Sequence, residues 1–421
     1  MKTTLLRWLA VGMAGTTGIL LAQEWPRFRG PNGSGLGQAA ALPAQWAPSD
    51  FAWKARLPGT GHSSPVLWGE RLVVTAADPA TGHFSVLGFH ADTGARLWQR
   101  DYPVPHHGLH RNNTFASASA AADGSQVYVP RVQDDRLWLT ALTLDGAPVW
   151  EVDLGGFNTE HGLGHSPIEH DGRVFLAQDH DDLGRIVALE AATGRLVWEV
   201  PRSAGYADYS VPCVLASSAT SQVLVFNSQE DGISGVDART GTVVWRSDRV
   251  LRMRSVSSPI AAGNLVFGTC GSGGGGHYLV ALRPPNRDQA RPSVAYEIRK
   301  AAPYVPSPLA LGDHLFLWSD GGIVTCARLA TGTSLWQERV GGNFFSSPVA
   351  ADGKLINVST TGEVVAVAAA ESFVLLGRTP LGEASHATPA IARGRLYVRT
   401  LSQVVCLGPE KGSGTGPPRE D

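Results

Sequence analysis

The chain has 421 residues, a formal net charge of −2 and only 17% charged residues. A chain so close to charge balance has no field strong enough to hold a nucleic acid or an anionic membrane surface. Its 49 glycines and 27 prolines are typical of a protein with many turns. The composition therefore points away from nucleic-acid binding and towards a turn-rich, all-β protein.

The first predicted element is an export signal. Lys2 and Arg7 precede an apolar run over residues 8–21, and Leu20-Leu21-Ala22 provides a cleavage site. We predict a signal peptide over residues 1–22 and a periplasmic or secreted location, with no transmembrane span after signal removal. An uncleaved membrane anchor is the alternative, although the run is shorter than the ~20 residues of a spanning helix.

An N-terminal extension follows over residues 23–50. Residues 30–50 and the tail over residues 409–421 are the two stretches beyond the signal that could lack structure, because neither shows an apolar period.

A hexapeptide, Thr-Gly-x-x-x-Trp, then recurs along the chain. Its four copies end at Trp98, Trp198, Trp245 and Trp336, and an altered copy ends at Trp150. A repeat of roughly 40 to 50 residues is typical of stacked supersecondary units. The period therefore predicts a repeat fold rather than two or three separate domains.

One unit reads as four short strands. It starts at Ser166-Pro167, and its later runs are Arg173–Gln178, Arg185–Leu189 and Arg195–Val200. Each run is rich in Val, Ile, Leu or Phe and is bounded by Gly or Asp turns, which is the pattern of consecutive β-hairpins. Four antiparallel strands at this spacing form one blade of a β-propeller.

Eight such units align on the start of their first strand. The starts lie near Ser64, Ser117, Ser166, Val211, Ser258, Ser307, Ser347 and Thr388. The last unit has three strands only, and residues 51–57 supply a fourth. We therefore predict an eight-bladed β-propeller of four-stranded antiparallel blades over residues 51–408, with the N-terminal strand closing the ring and removing its open edges.

The hexapeptide has a structural role in this scheme. Thr-Gly forms the turn before the outermost strand, where glycine admits positive φ. The aromatic ring on that strand is then placed to pack on the neighbouring blade. The docking residues expected from this pattern are Trp53, Trp98, Trp150, Trp198, Trp245 and Trp336.

Binding residues are expected on the opposite face. The hexapeptide turns are short, whereas the connections on the other face are long and contain most of the 13 histidines. Loops held by a rigid scaffold are the usual place for binding residues. The candidate ligand residues are His62, His110, Asn113, His161, His165 and His386.

Three of these histidines raise a metal hypothesis. His62, His165 and His386 each precede an innermost strand, and three converging imidazoles could hold a metal ion. Polar loop histidines are the simpler interpretation, so no catalytic, cofactor-binding or metal residue is assigned.

The Thr-Gly-x-x-x-Trp blades resemble the tryptophan-docking repeats of the quinoprotein (pyrroloquinoline quinone, PQQ) superfamily. Residues 25–35 (WPRFRGPNGSG) are similar to the N-terminal signature of secreted PQQ-binding-like propeller repeat proteins, and residues 112–117 and 387–392 extend the resemblance. That superfamily contains PQQ-dependent alcohol dehydrogenases, with a vicinal disulfide, calcium ligands and a catalytic aspartate. It also contains non-catalytic scaffolds similar to the assembly factor BamB.

Two functions follow from the resemblance. The first is an exported, non-catalytic and monomeric scaffold, acting in envelope assembly, that binds a protein or glycan partner through its loop face. The second is a quinoprotein oxidoreductase that depends on PQQ and calcium. The sequence has no adjacent cysteines, so the scaffold is the main prediction.

Overall fold

The computed structural model describes residues 24–39, 42–104, 108–181, 184–203, 205–218 and 221–408. Eight four-stranded antiparallel sheets are arranged around a central axis, and their innermost strands lie side by side. The predicted eight-bladed propeller is confirmed. The predicted signal peptide and C-terminal tail lie outside the described residues.

The strands of blades 1 to 4 run from the axis outwards. Blade 1 contains β2 (Val66–Trp68), β3 (Arg71–Asp78), β4 (His83–His90) and β5 (Arg96–Pro103). Blade 2 contains β6 (Ala121–Ala122), β7 (Gln126–Gln133), β8 (Arg136–Thr143) and β9 (Pro148–Gly156). Blade 3 contains β10 (Ile168–His170), β11 (Arg173–Asp179), β12 (Gly184–Glu190) and β13 (Leu196–Arg202). Blade 4 contains β14 (Cys213–Ser218), β15 (Ser221–Ser228), β16 (Gly232–Asp237) and β17 (Val243–Arg246).

Blades 5 to 7 repeat this order, and blade 8 differs. Blade 5 contains β18 (Ile260–Ala262), β19 (Leu265–Ser272), β20 (Gly275–Arg283) and β21 (Ser293–Ile298). Blade 6 contains β22 (Leu309–Leu311), β23 (His314–Trp318), β24 (Ile323–Arg328) and β25 (Ser334–Arg339). Blade 7 contains β26 (Val349–Ala351), β27 (Lys354–Val358), β28 (Glu363–Ala368) and β29 (Leu375–Pro380). Blade 8 contains β30 (Ala390–Ala392), β31 (Arg395–Arg399), β32 (Gln403–Leu407) and, outermost, β1 (Phe51–Arg56).

The N-terminal strand closes the ring as predicted. β1 pairs antiparallel with β32, with Lys54 opposite Val405 and Ala55 opposite Val404. Buried apolar side chains fill the spaces between the faces of adjacent blades. No helix of the described residues is long and apolar enough to cross a membrane.

The hexapeptide rings lie between blades. The Nε1 of Trp98 donates to the carbonyl of Leu144 at 2.9 Å, and that of Trp150 to Ala191 at 2.8 Å. The same bond is made by three further rings to the next blade: Trp53 to Ala91, Trp198 to Ala238 and Trp336 to Ala370. Trp245 packs in the apolar cluster between blades 4 and 5.

Two expectations need correction. The second blade begins two residues later than expected, since Ser119, not Ser117, stands two positions before the first strand, as Ser166 does in blade 3. Residues 30–39 and 42–50 are also not unstructured. They include two short 3₁₀ helices, Pro31–Gly33 and Pro48–Asp50, and they belong to a segment inserted into the ring.

Residues 24–37 of this segment, called the plug here, occupy the central channel on the short-turn face. Trp25 pairs with Leu67 of blade 1 through two backbone hydrogen bonds of 3.0 and 2.9 Å. The side-chain amide of Asn32 makes two bonds to the backbone of Val214 in blade 4. The plug therefore connects blades that are not neighbours in the ring.

Two buried arginines of the plug bond to carbonyls that start inner strands. Arg27 donates to Pro212, and Arg29 donates to Pro308 at 2.9 Å. Burial lowers the pKa of Arg27 to about 10 and that of Arg29 to about 9, so both remain charged at neutral pH. The carbonyls supply part of the hydrogen bonding that a buried cation requires, while Nε of Arg27 and Nε and Nη1 of Arg29 have no partner among the described residues.

Candidate functional site

The plug makes the central channel blind. At the loop face, the connections that lead from each outer strand to the next inner strand surround a cavity of about 980 Å³. Phe28 of the plug lines this cavity from the far side, and all eight connections contribute to its wall. The volume lies at the upper end of the ~300–1,000 Å³ typical of ligand pockets.

A belt of hydroxyl groups supports the wall. The backbone N–H of Ser258 donates to the hydroxyl of Ser307 at 2.9 Å, and the N–H of Ser307 donates to that of Ser347 at 2.9 Å. The same step joins five further pairs: Ser64 to Ser119, Ser119 to Ser166, Val211 to Ser258, Ser347 to Thr388 and Thr388 to Ser64. The eighth step, from Ser166, would need a hydroxyl where Val211 stands. The residues at the strand starts, which also align the repeat, therefore fix seven of the eight loops to the next blade.

Three pairs of stacked rings face the cavity. The ring centroids of His62 and His386 lie 4.3 Å apart, those of His110 and His161 5.0 Å apart, and those of His277 and Tyr304 5.4 Å apart. All six residues line the cavity. Such pairs present flat, partly apolar surfaces with polar edges, which suits a ligand that is both stacked and hydrogen-bonded.

Five of the six predicted ligand residues line the cavity: His62, His110, Asn113, His161 and His386. Asn113 also positions the wall, since its side-chain amide donates to the carbonyl of His161 in the next connection at 2.5 Å. It therefore couples two loops of the wall.

His165 does not reach the cavity. Its side chain is buried behind the wall, where Nε2 lies 3.2 Å from the carbonyl of Asp179 and the ring lies beside His180 and Tyr209. Burial and the neighbouring His180 lower its pKa to about 3. The ring was expected to point at the channel because it precedes an inner strand, but the strand start alone does not fix the side-chain direction.

The three-histidine metal hypothesis fails on this geometry. His62 and His386 stack on each other, whereas His165 is buried among other residues. Across the described ranges, no three His, Cys, Asp or Glu side chains stand together in a way that could hold a metal ion.

Three of the cavity histidines, His62, His161 and His386, have a lowered pKa. Burial, followed by the proximity of His386 and Arg399, lowers the pKa of His62 to about 3. Burial also lowers the pKa of His386, and burial and the charge of Arg254 lower that of His161. At neutral pH these imidazoles therefore act as hydrogen-bonding and stacking groups without charge.

The permanent charge of the cavity is positive. Arg111, Arg252 and Arg254 line it, and Asp320 is its single acidic residue among those described. The carboxylate of Asp320 accepts backbone hydrogen bonds from Tyr304 at 2.7 Å and Val305 at 3.1 Å. Both of its oxygens therefore already have partners in the wall. Sequence reasoning selected the histidines and missed these arginines, although two of them are clustered in one connection.

The cavity does not match the quinone site that the resemblance raised. All four cysteines are buried and free, and none of them lines the cavity. Calcium takes six to eight oxygen ligands that usually include several carboxylates, whereas the described wall offers only Asp320. The residues present do not fit a calcium-assisted quinone.

Fold and site together define a β-propeller with a blind, basic and aromatic cavity on its loop face. The sequence model of the family described as outer membrane protein assembly factor BamB matches residues 45–135, 135–286 and 299–415. The chain belongs to this family. No curated protein shows significant similarity to the sequence.

Solved structures share the fold. BamB from Moraxella catarrhalis is 17% identical with a TM-score of 0.61, over 85% of this chain and 99% of that one. The quinohemoprotein alcohol dehydrogenase from Comamonas testosteroni is 14% identical with a TM-score of 0.67, over 92% and 80%. The computationally designed Ika8 protein is 12% identical with a TM-score of 0.61, over 86% and 100%. At such identities the likeness concerns the fold alone.

Proposed function

We propose that this protein is a non-catalytic binding propeller of the cell envelope, exported to the periplasm or secreted, that receives part of a partner in its loop-face cavity. The observation that carries the proposal is the blind cavity, whose wall all eight blades build and whose floor is closed by Phe28. A rigid, one-ended recess with aromatic pairs suits capture of a protruding group.

The wall supports binding better than catalysis. A nucleophile needs a base within hydrogen-bond reach and a third group that orients the base. The hydroxyls of Ser119, Ser166 and Ser307 instead accept backbone N–H groups of the belt. Among the described residues, no hydroxyl of a lining serine bonds to a lining histidine; the bond of His277 to Ser272 uses the backbone carbonyl of the serine. The histidines stack in pairs, which leaves them as contact surfaces.

The family supports a protein partner. Its description is that of an envelope assembly factor, and a propeller that displays loops around one opening suits a scaffold role. A glycan partner remains the second class of ligand that the aromatic wall could accept.

Filling the mouth of the cavity tests the proposal. Gly273 lines the cavity, and a Cβ added there meets no atom within 4 Å, which leaves the start of a side chain free. Gly273→Trp should therefore obstruct the mouth without disturbing the fold. Gly124→Trp is the matched control, because Gly124 lies in a short turn on the opposite face and a Cβ there makes only an ordinary contact of 3.6 Å with Trp68.

The wild type and both variants would be immobilised and incubated with envelope extract of the source organism, and the bound species identified by mass spectrometry. A specific partner retained by the wild type and by Gly124→Trp, and lost from Gly273→Trp at an unchanged Tm, supports the proposal. Equal capture by all three proteins overturns it. Titration with PQQ and Ca²⁺ is a separate arm, and saturable binding with a quinone absorbance change would favour the oxidoreductase.

A further inference from the structure

We infer that the cavity recognises an acidic peptide segment of the partner, with Arg254 as the central contact and an apolar side chain of the peptide inserted beneath it. This inference rests on the proposed function and specifies its ligand. It is carried by the distribution of charge and apolar surface in the cavity.

The cavity is lined by a net positive charge, whereas the net charge of the whole chain is negative. The whole chain has a formal net charge of −2, whereas three arginines and one aspartate line the cavity. None of the three arginines forms an ion pair with a carboxylate of the described residues, although nearby surface arginines do. Arg249, for example, lies 2.6 Å from Glu230. Three unpaired guanidinium groups around one opening raise the local concentration of anions.

Arg254 is held in position from two sides. Its Nη1 donates to Nε2 of His161 at 2.9 Å, and its guanidinium carbon lies 5.9 Å from the ring centre of Tyr206. Its Nε is buried and has no hydrogen-bond partner among the described residues. Such a guanidinium, held in position and without a carboxylate partner, is suited to an incoming carboxylate, which its donors other than the buried Nε can bind.

The cavity wall also has an apolar part beside the hydroxyls of the belt. Phe28, Val211, Val256 and Val305 line the cavity together with Met253, which is next to Arg254 in the chain. An acidic group at the arginines would therefore bring its neighbouring groups against apolar side chains. A peptide that mixes acidic and large apolar residues satisfies both zones, whereas an acidic sugar satisfies only the first.

The pKa of His161 should respond to a ligand that binds at Arg254. Burial, followed by the charge of Arg254, lowers the pKa of His161. A bound carboxylate would oppose that charge and favour the protonated imidazole, so the pKa should rise on binding. Replacement of Arg254 by a neutral residue should likewise raise the pKa of His161 in the protein without ligand.

The experiment uses a fluorescein-labelled hexapeptide that alternates glutamate and leucine, with blocked ends. The comparison peptide has glutamine in place of glutamate, and an oligogalacturonate of similar charge represents acidic glycans. Binding would be followed by fluorescence anisotropy at two salt concentrations, with fluorescein alone as the blank. The pKa of His161 would be followed by NMR of protein with ¹³C-labelled histidine.

We expect the acidic peptide to bind at least 10-fold more tightly than the glutamine peptide and to weaken with salt. Arg254→Gln should weaken binding about 10-fold or more. Arg254→Lys should weaken it by less, since lysine keeps the positive charge but lacks the paired N–H donors of the guanidinium. Arg111→Gln and Arg252→Gln alter exposed side chains that the fold does not need, and each should weaken binding about 3-fold. Arg195→Gln, on the opposite face, makes the same charge change and should have no effect.

The outcomes separate the two proposals. Equal affinity for the acidic and glutamine peptides overturns the acidic-peptide inference. Unchanged binding in Arg254→Gln, Arg111→Gln and Arg252→Gln alike also overturns it. Binding of the oligogalacturonate without the peptide also overturns it and indicates a glycan cavity. If Gly273→Trp loses the partner while the arginine variants keep it, the inference fails and the proposed function stands. If Gly273→Trp keeps the partner, the proposed function itself fails.

Discussion

The glycine of each Thr-Gly pair serves two purposes, which can be separated within one blade. Gly194 has a φ of 72°, and a Cβ added there would lie 2.7 Å from the ring of Trp150 in the preceding blade. Gly172 has a φ of 74°, and a Cβ there would meet nothing within 4 Å. Both positions need positive φ, but only Gly194 lies beneath a docked ring.

This difference gives a prediction at the residue scale. Alanine at either position costs roughly 1 kcal/mol or more through its unfavourable φ. Gly194→Ala should cost about 1–3 kcal/mol beyond that, because the added methyl group displaces Trp150. Urea unfolding of both variants measures the two costs, and equal destabilisation would show that the turn alone requires glycine.

The sequence predicted which residues reach the loop face, but not how their side chains point. His62 and His165 precede inner strands in registers that differ by one residue: His62 is two residues before the belt residue Ser64, whereas His165 is one residue before Ser166. His62 lines the cavity, whereas His165 is buried beside Asp179 and Tyr209. In extended chain a shift of one residue turns the side chain to the other side, and an alignment that places the strand starts only approximately does not resolve that shift. Arg254 was missed because nothing local distinguishes a cavity arginine from a solvated one.

At the element scale, the hydroxyl belt is the contact that spaces the inner strands. Each step joins residues about one blade apart in sequence, such as Ser258 and Ser307. A serine recurs before most of the inner strands, and this recurrence in the sequence gives the number of blades. It could not show the bond, because the N–H of one blade meets the hydroxyl of the next only when the ring is assembled. The same limit explains the shift from Ser117 to Ser119.

Removing one hydroxyl tests the belt. Ser307→Ala leaves the buried N–H of Ser258 without its acceptor, which should cost about 1–3 kcal/mol. Ser307→Thr keeps a hydroxyl at the same place and should cost less. Unfolding midpoints in urea give the comparison. Alanine and threonine variants of equal stability would mean that the belt contributes little.

At the scale of the whole molecule, the repeat predicted the propeller and its closure by β1, because both follow from a periodic pattern with one strand missing. The plug carries no such pattern. Its arginines bond to carbonyls of Pro212 and Pro308, which belong to blades 4 and 6. Only the closed ring brings these acceptors together, so residues 30–50 could be mistaken for an unstructured stretch.

The plug should be part of the cooperative fold. Trp25 is completely buried and pairs with Leu67, while Trp318 is a comparably buried residue of blade 6. Trp25→Ala should therefore destabilise the protein by about 3–5 kcal/mol, as Trp318→Ala should. Equilibrium unfolding and limited proteolysis distinguish the alternatives. A Trp25→Ala variant that keeps its midpoint but is cut within residues 24–50 would show a separately attached segment.

The position of the plug also has a consequence for the order of folding. Arg29 bonds to Pro308 and Pro348, which lie 279 and 319 residues further along the chain. During synthesis these acceptors do not exist until most of the blades have emerged, although the segment that needs them is made before any blade. Domains generally gain structure from the N-terminus onwards, and contacts of such long range are slow to form. We therefore expect the earliest described residues to be synthesised to be among the last to reach their native place.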